Sequence, residues 1–351
     1  MQKIINLPSI PCDGRMMSLR GALLATKQSQ TTGLLRCARN DNLPLYSIIS
    51  NGDFISKIDA LYGLMENCGL CPRHCGAERL KGEKGLCGAA DKLKIASINL
   101  HFGEEPPISG KTGSGTVFFS GCSLKCKFCQ NYPISRYCAG KFYDTSELAD
   151  GMVRLQEKGA VNINLVTPMH YMPFVAESIF LAGKRGLKIP IVYNSSGYEE
   201  ARLLELLDGI IDIYLPDIKY SDDKNAMSCS GVADYVEINR KALKIMYGQV
   251  KELKVNKYGI AVSGLLIRHL VLPESISGYA DSFKFIAQEL GRDVPVSLMS
   301  QYFPAYKAEY DGRLNRKITE IEYSDAVKEL IDNNLTGFFQ NDINIDVADV
   351  V

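Results

Sequence analysis

From Thr116 onward the chain repeats one alternation six times: a short apolar run, then a segment with helical spacing. The runs are 116–120, 162–167, 189–194, 211–216, 264–273 and 294–301; the helical segments are 145–158, 171–186, 199–208, 233–252, 278–290 and 320–334. Strands separated by such helices pair in parallel, because a parallel connection needs a long crossover. A full eight-unit barrel typically takes ~250 residues, whereas here about 225 carry six units. The expected fold is therefore α/β, an open, partial (β/α)6 TIM-like barrel, with reacting groups at the C-terminal ends of its strands.

The segment before the barrel differs. Residues 44–66 have helical spacing through Ile55, Ile58, Leu61, Tyr62 and Met65, and lead into a Cys- and Gly-rich stretch. The expected organisation is an N-terminal helix and Cys-rich segment over 44–110, the core barrel over 111–340 and a polar, acidic tail over 341–351. Residues 1–43 look unlike the rest: from Ser18 there is no acidic residue before Asp41 and no clean period. They resemble translations of dispersed bacterial repeats, and the expectation is a poorly ordered, dispensable extension, against the alternative of an ordinary helix over 19–26. Charge is balanced, 40 basic against 40 acidic residues, which gives no electrostatic case for nucleic acid or membrane. No apolar run of about 20 residues and no signal-like N-terminus is found, so the chain reads as cytoplasmic.

Eleven cysteines in such a chain point to metal rather than disulfides. Seven fall in two groups, while Cys12, Cys37, Cys138 and Cys229 stand alone. The second group, Cys122, Cys126 and Cys129, opens the loop after the first barrel strand. Three thiolates can cap three irons of a [4Fe–4S] cluster and leave the fourth open as a Lewis acid, whereas electron-transfer clusters are normally capped by four. Zinc prefers four ligands, usually as paired two-residue spacings.

That spacing, with aromatic Phe128 just before the last cysteine, resembles the radical S-adenosylmethionine (SAM) superfamily. The resemblance implies that the amino and carboxylate groups of SAM chelate the open iron. Phe128 is then placed to lie beside the adenine. Asn194, Ser195 and Ser196 end the third strand and can bond ribose hydroxyls, with Gly197 allowing close backbone approach; a helix cap and turn is the alternative. The second strand ends at Thr167 where the superfamily usually carries a Gly-Gly-Glu-like segment for the SAM amino group, so Thr167 and backbone carbonyls stand in. Asp217 and Lys219 share one face of the fourth strand, as site groups or as an internal ion pair. Arg268 suits a bidentate grip on the SAM carboxylate. His269, facing the other way, is structural or functional alike. Gln301 belongs to a polar, aromatic lip or packed rim, and His101 with Glu104 and Glu105 to the substrate pocket or a solvated loop.

The first group, Cys68, Cys71, Cys75 and Cys87, fits a second Fe–S cluster or a structural zinc, with His74 as a competing ligand. So small a Gly-rich segment has little core of its own, which favours some metal. The order of motifs from Cys68 through His101-Phe-Gly-Glu104-Glu105-Pro-Pro, the Cys122 group, Asn194–Tyr198, Asp217-Ile-Lys219-Tyr and Arg268-His269-Leu to Met299-Ser-Gln301 resembles the PflX-type radical SAM iron–sulfur proteins. These are in turn similar to pyruvate formate-lyase activating enzymes. The resemblance implies reductive cleavage of SAM to a 5′-deoxyadenosyl radical, with Asp217, Lys219 and Arg268 as catalytic candidates and a flavodoxin or ferredoxin as low-potential donor. The target is a protein or peptide residue, as for a glycyl-radical activase. A small-molecule substrate, an iron–sulfur electron-transfer or scaffold protein, and a zinc-binding interaction module are the alternatives.

Overall fold

The computed structural model describes residues 44–47 and 49–340; the expectations for 1–43 and 341–351 lie outside them. Helix α1 (Asn51–Gly63) is capped by Ser50, whose hydroxyl accepts from the Asp53 N–H. It buries Phe54, Ile58 and Leu61, whereas Ile55, expected on that face, is 47% exposed. The helix rests on its neighbours one residue round from the face the apolar spacing marked.

Strand β1 (Leu93–His101) follows, then α2 (Pro106–Ser109), β2 (Ser114–Phe119), α3 (Tyr132–Ser135) and β3 (Lys141–Tyr143). The barrel continues through α4 (Thr145–Glu157), β4 (Ile163–Val166), α5 (Met172–Lys184), β5 (Ile191–Ser195), α6 (Ala201–Leu206) and β6 (Ile213–Pro216). After α7 (Asp223–Ser230) and α8 (Tyr235–Val250) come β7 (Lys254–Val255), β8 (Ala261–Leu265) and β9 (Ile267–Leu270). The last elements are α9 (Tyr279–Phe285), β10 (Val296–Met299), α10 (Glu320–Asp332) and β11 (Gly337–Gln340).

The sheet runs β3-β1-β2-β4-β5-β6-β8-β7, and β11-β10-β9 forms a second, three-stranded piece. β2, β4, β5, β6 and β8 are parallel neighbours, as are β9, β10 and β11. The two pieces meet where the expected strand 264–273 breaks at Leu266 into β8 and β9, and a parallel bridge between Asp217 and Arg268 carries the pairing across. Gly264 turns that corner at φ +115°, where a Cβ would lie 2.2 Å from the Glu252 carbonyl oxygen. Thus the wall is a mixed α/β sheet bent as a partial barrel. Antiparallel β1 covers the β2 edge, and β11 extends the other. Neither strand was expected. A bulge between Ile95 and Ser97 interrupts the alternation of β1, and β11 is only four residues long.

Candidate active site

Every expected parallel strand delivers its C-terminal end to one cavity of about 400 Å³. The loop after β2 brings Cys122, Cys126, Phe128 and Cys129; β4 brings Thr167, and β5 brings Asn194, Ser195 and Ser196. β6 contributes Asp217 and Lys219, β9 Arg268, and the end of β10 Gln301.

The cysteine loop is fastened from several sides. Lys125 and Lys127 donate their backbone N–H groups to the carbonyls of Ser230 and Cys229. The Ser230 hydroxyl donates to Cys126 Sγ at 2.9 Å, and Ser135 Oγ lies 3.1 Å from Cys129 Sγ. Phe128 is buried, edge-on to Tyr302. Burial, then the neighbouring Cys126, push the Cys122 pKa up; burial also raises Cys126, with Lys219 opposing. Cys122 and Cys126, poor anions by themselves, fit a cationic centre that would hold them as thiolates beside Cys129. Among the described residues no three His, Cys, Asp or Glu side chains close on the position of a single metal ion. Three thiolates can cap three irons of a cubane and leave the fourth open, so the donor set fits a cluster.

Polar groups on the facing strands are neutralised internally. Lys219 pairs directly with Asp217, so the site reading and the ion-pair reading of these two coincide. Burial opposes the Lys219 charge, but Asp217 and Cys126 outweigh it and raise its pKa. Arg268 is already engaged: Nε lies 3.2 Å from Glu105 Oε1, Nη1 lies 3.5 Å from Glu104 Oε2, and Nη1 donates to Asn194 Oδ1 at 3.2 Å. Glu104 and Glu105 are buried side chains rather than a solvated loop, and Glu104 and His101 line the cavity. Glu104 also accepts from Asn164 Nδ2 at 3.0 Å, and burial raises its pKa against the pull of Arg268.

Thr167 has φ +58°, a left-handed conformation unusual for a β-branched residue, and its N–H is held by the Asn194 carbonyl at 2.8 Å. Gly197 corrects an expectation. It does not line the cavity; its close approach is to β6, where a Cβ would lie 2.1 Å from the Asp217 carbonyl oxygen. Asn239, on α8, donates to both Gly197 O and Asp217 O, and the Tyr235 hydroxyl donates to Ser196 O. Two remote side chains therefore hold the polar loop, and no spacing in the sequence links them to it. His269 points away, fully buried and edge-on to Phe283; burial pushes its pKa down to about 3, so it stays neutral packing.

The first cysteine group lies outside this cavity but directly behind the loop. The Cys122 N–H donates to the Cys87 carbonyl at 3.3 Å, and Arg73 Nε to the Ser123 carbonyl at 3.0 Å. His74 is no ligand there: it is exposed, with Nε2 2.9 Å from Glu200.

Residues 116–274 match the family model described as the Radical SAM superfamily. One curated protein of Methanocaldococcus jannaschii, itself uncharacterized, is 29% identical over 282 residues, 78% of this chain and 76% of its own. A second uncharacterized protein of that organism is 24% identical, over 68% of this chain and 71% of its own. Among solved structures, a radical SAM methyltransferase from Sphaerobacter thermophilus aligns with a TM-score of 0.44 at 13% identity, covering 65% of this chain and just under two thirds, 66%, of that one. A domain of a pyruvate-formate lyase-activating enzyme from Bacteroides vulgatus aligns with a TM-score of 0.33 at 13% identity, covering 56% and 91%.

Proposed function

The chain is an enzyme of the radical SAM type, and we propose that Cys122, Cys126 and Cys129 hold a [4Fe–4S] cluster whose open iron takes SAM. When bound, the pair supplies reductive cleavage of the carbon–sulfur bond to methionine and a 5′-deoxyadenosyl radical that takes a hydrogen atom from the substrate. The observation that carries this reading is the cavity, which three thiols line together with polar groups from five other strand ends.

The chain's own residues bind and orient. Asn194, Ser195 and Ser196 offer hydroxyl and amide groups to a ribose, and Phe128 an apolar face to a base. Thr167 and its strained backbone lie beside them. Arg268, steadied by Glu105 at Nε and by Glu104 and Asn194 at Nη1, offers Nη2 to the SAM carboxylate, and the Asp217–Lys219 pair contributes a balanced polar face. The buried setting restricts water near the reacting carbon.

For the substrate, a protein or peptide residue is the reading we favour. Tyr132, Tyr137 and Tyr306 cluster beside the cysteine loop, with the Tyr132 and Tyr306 rings stacked at 5.2 Å. Phe303 and Tyr137 are exposed large apolar side chains next to residues that line the mouth. An aromatic lip of this kind suits a polypeptide segment. A flavodoxin- or ferredoxin-like protein is the proposed electron donor. The test is anaerobic reconstitution, then SAM and dithionite: 5′-deoxyadenosine is expected, and its absence from cluster-loaded protein overturns the reading.

A further inference from the structure

We propose that Cys68, Cys71, Cys75 and Cys87 hold a second iron–sulfur cluster, capped by four thiolates and therefore closed to outside ligands. All four are free, and Cys68, Cys71 and Cys87 are buried. They interact electrostatically with one another: Cys71 and Cys87 each feel Cys68 and Cys75, and Cys71 also feels Cys87. Gly85 backs the group, and a Cβ there would lie 3.3 Å from Cys75 Sγ and 3.5 Å from Cys87 Sγ.

The backbone is already arranged for sulfur anions. Cys71 accepts from the N–H of Arg73, Cys75 from those of Ala77 and Leu86, and Cys87 from that of Ala89. In three of the four cysteines the donor is thus the N–H two residues on. Hydrogen bonds to the sulfurs are among the features that tune Fe–S centres. Left-handed backbone at His74, Gly76 and Gly88 lets the chain double back between them. Regular structure between Cys68 and Lys92 is confined to one turn, Arg79–Lys81. A stretch so poor in ladders and core needs another cross-link to hold its shape.

An independent observation supplies the sign of the charge. Arg79 is fully buried, yet its guanidinium donates only to carbonyls, those of Ala90 and His170, and lies over the Tyr171 ring. Among the described residues it forms no ion pair with a carboxylate. A buried, uncompensated cation is strongly unfavourable. A tetrathiolate centre carries the net negative charge this cation lacks. Zinc would share that sign. Zinc and a cluster differ in iron and sulfide content, and that measurement decides between them.

Wild-type protein reconstituted without oxygen should hold about eight irons and eight acid-labile sulfides, as two cubanes require. The Cys122→Ala/Cys126→Ala/Cys129→Ala variant should keep about four, with a [4Fe–4S] Mössbauer signature. The Cys75→Ala/Cys87→Ala variant should keep about four on the loop triad. About four irons in the wild type and none in the triple variant overturns the proposal, as does one zinc retained in the triple variant. If the double variant does not fold, the other two counts still decide. Iron in the triple variant does not depend on whether the wild type cleaves SAM, so this inference and the functional reading can fail separately.

Discussion

Arg268 and Glu105 form the innermost ion pair of the cavity wall: Nε lies 3.2 Å from Oε1, and the carboxylate is fully buried. Glu105 ends the loop after β1, and Arg268 lies on β9, joined by a bridge to Asp217. The pair therefore ties the added antiparallel edge to the far side of the barrel.

Removing one charge from such a pair leaves the other unpaired in a dry setting. Arg268→Leu, which strands both Glu104 and Glu105, should cost about 3–5 kcal/mol. Chemical unfolding of the cluster-free protein measures it. A loss below about 1 kcal/mol, the scale of an exposed pair, would mean that the carboxylates find other cations.

Gly197 is predicted to be intolerant for steric reasons. At φ +71° an added Cβ meets the Asp217 carbonyl and Asn239 Nδ2 at 2.1 and 2.3 Å. Gly197→Ala should lower stability by about 1–3 kcal/mol and weaken SAM binding by displacing Asp217. Gly52, a helical position with nothing within 4 Å, is the control: Gly52→Ala should gain roughly 0.5–1 kcal/mol. Thermal unfolding midpoints that move in the same direction in both variants would contradict the argument.

The contrast between those glycines marks what the sequence can reveal. The strand–helix alternation is a local signal, so the parallel strands and their site ends at Thr167, Asn194, Asp217 and Arg268 were legible. The break at Leu266 was not, because it depends on Gly264 meeting the Glu252 backbone across a strand pair. The burial of Glu104 and Glu105 was not legible either. Adjacent acids look solvated until Arg268, over 160 positions away, is folded against them. The support of Gly197 and Ser196 by Asn239 and Tyr235 is likewise purely tertiary.

Glu199 predicts a pH dependence. It is buried, accepts from the Tyr193 hydroxyl, and burial raises its pKa to about 8. The folded state then holds a proton that the unfolded chain releases near 4.5. Between those values the unfolded chain binds fewer protons, so this group's contribution falls as pH rises and is lost through about 8. Glu199→Gln should remove that slope. Wild type and variant compared at pH 5 and pH 8 should diverge, with the variant gaining at pH 8; parallel curves would refute a protonated Glu199.

The relay from Tyr220 to Ser230 to Cys126 predicts an electronic effect. Ser230 Oγ lies 2.6 Å from the Tyr220 hydroxyl and donates to Cys126 Sγ at 2.9 Å. Donors aimed at ligand sulfurs stabilise the more negative, reduced state of an Fe–S centre and so raise its potential. Ser230→Ala should leave the iron content of the loop triad unchanged while making its potential more negative. Tyr220→Phe, which removes only the outer link, should shift it less. Redox titrations followed by electron paramagnetic resonance measure both. Equal potentials in all three proteins would mean that Ser230 does not donate to a ligating sulfur, and a loss of iron in Ser230→Ala would make it a structural support of the loop.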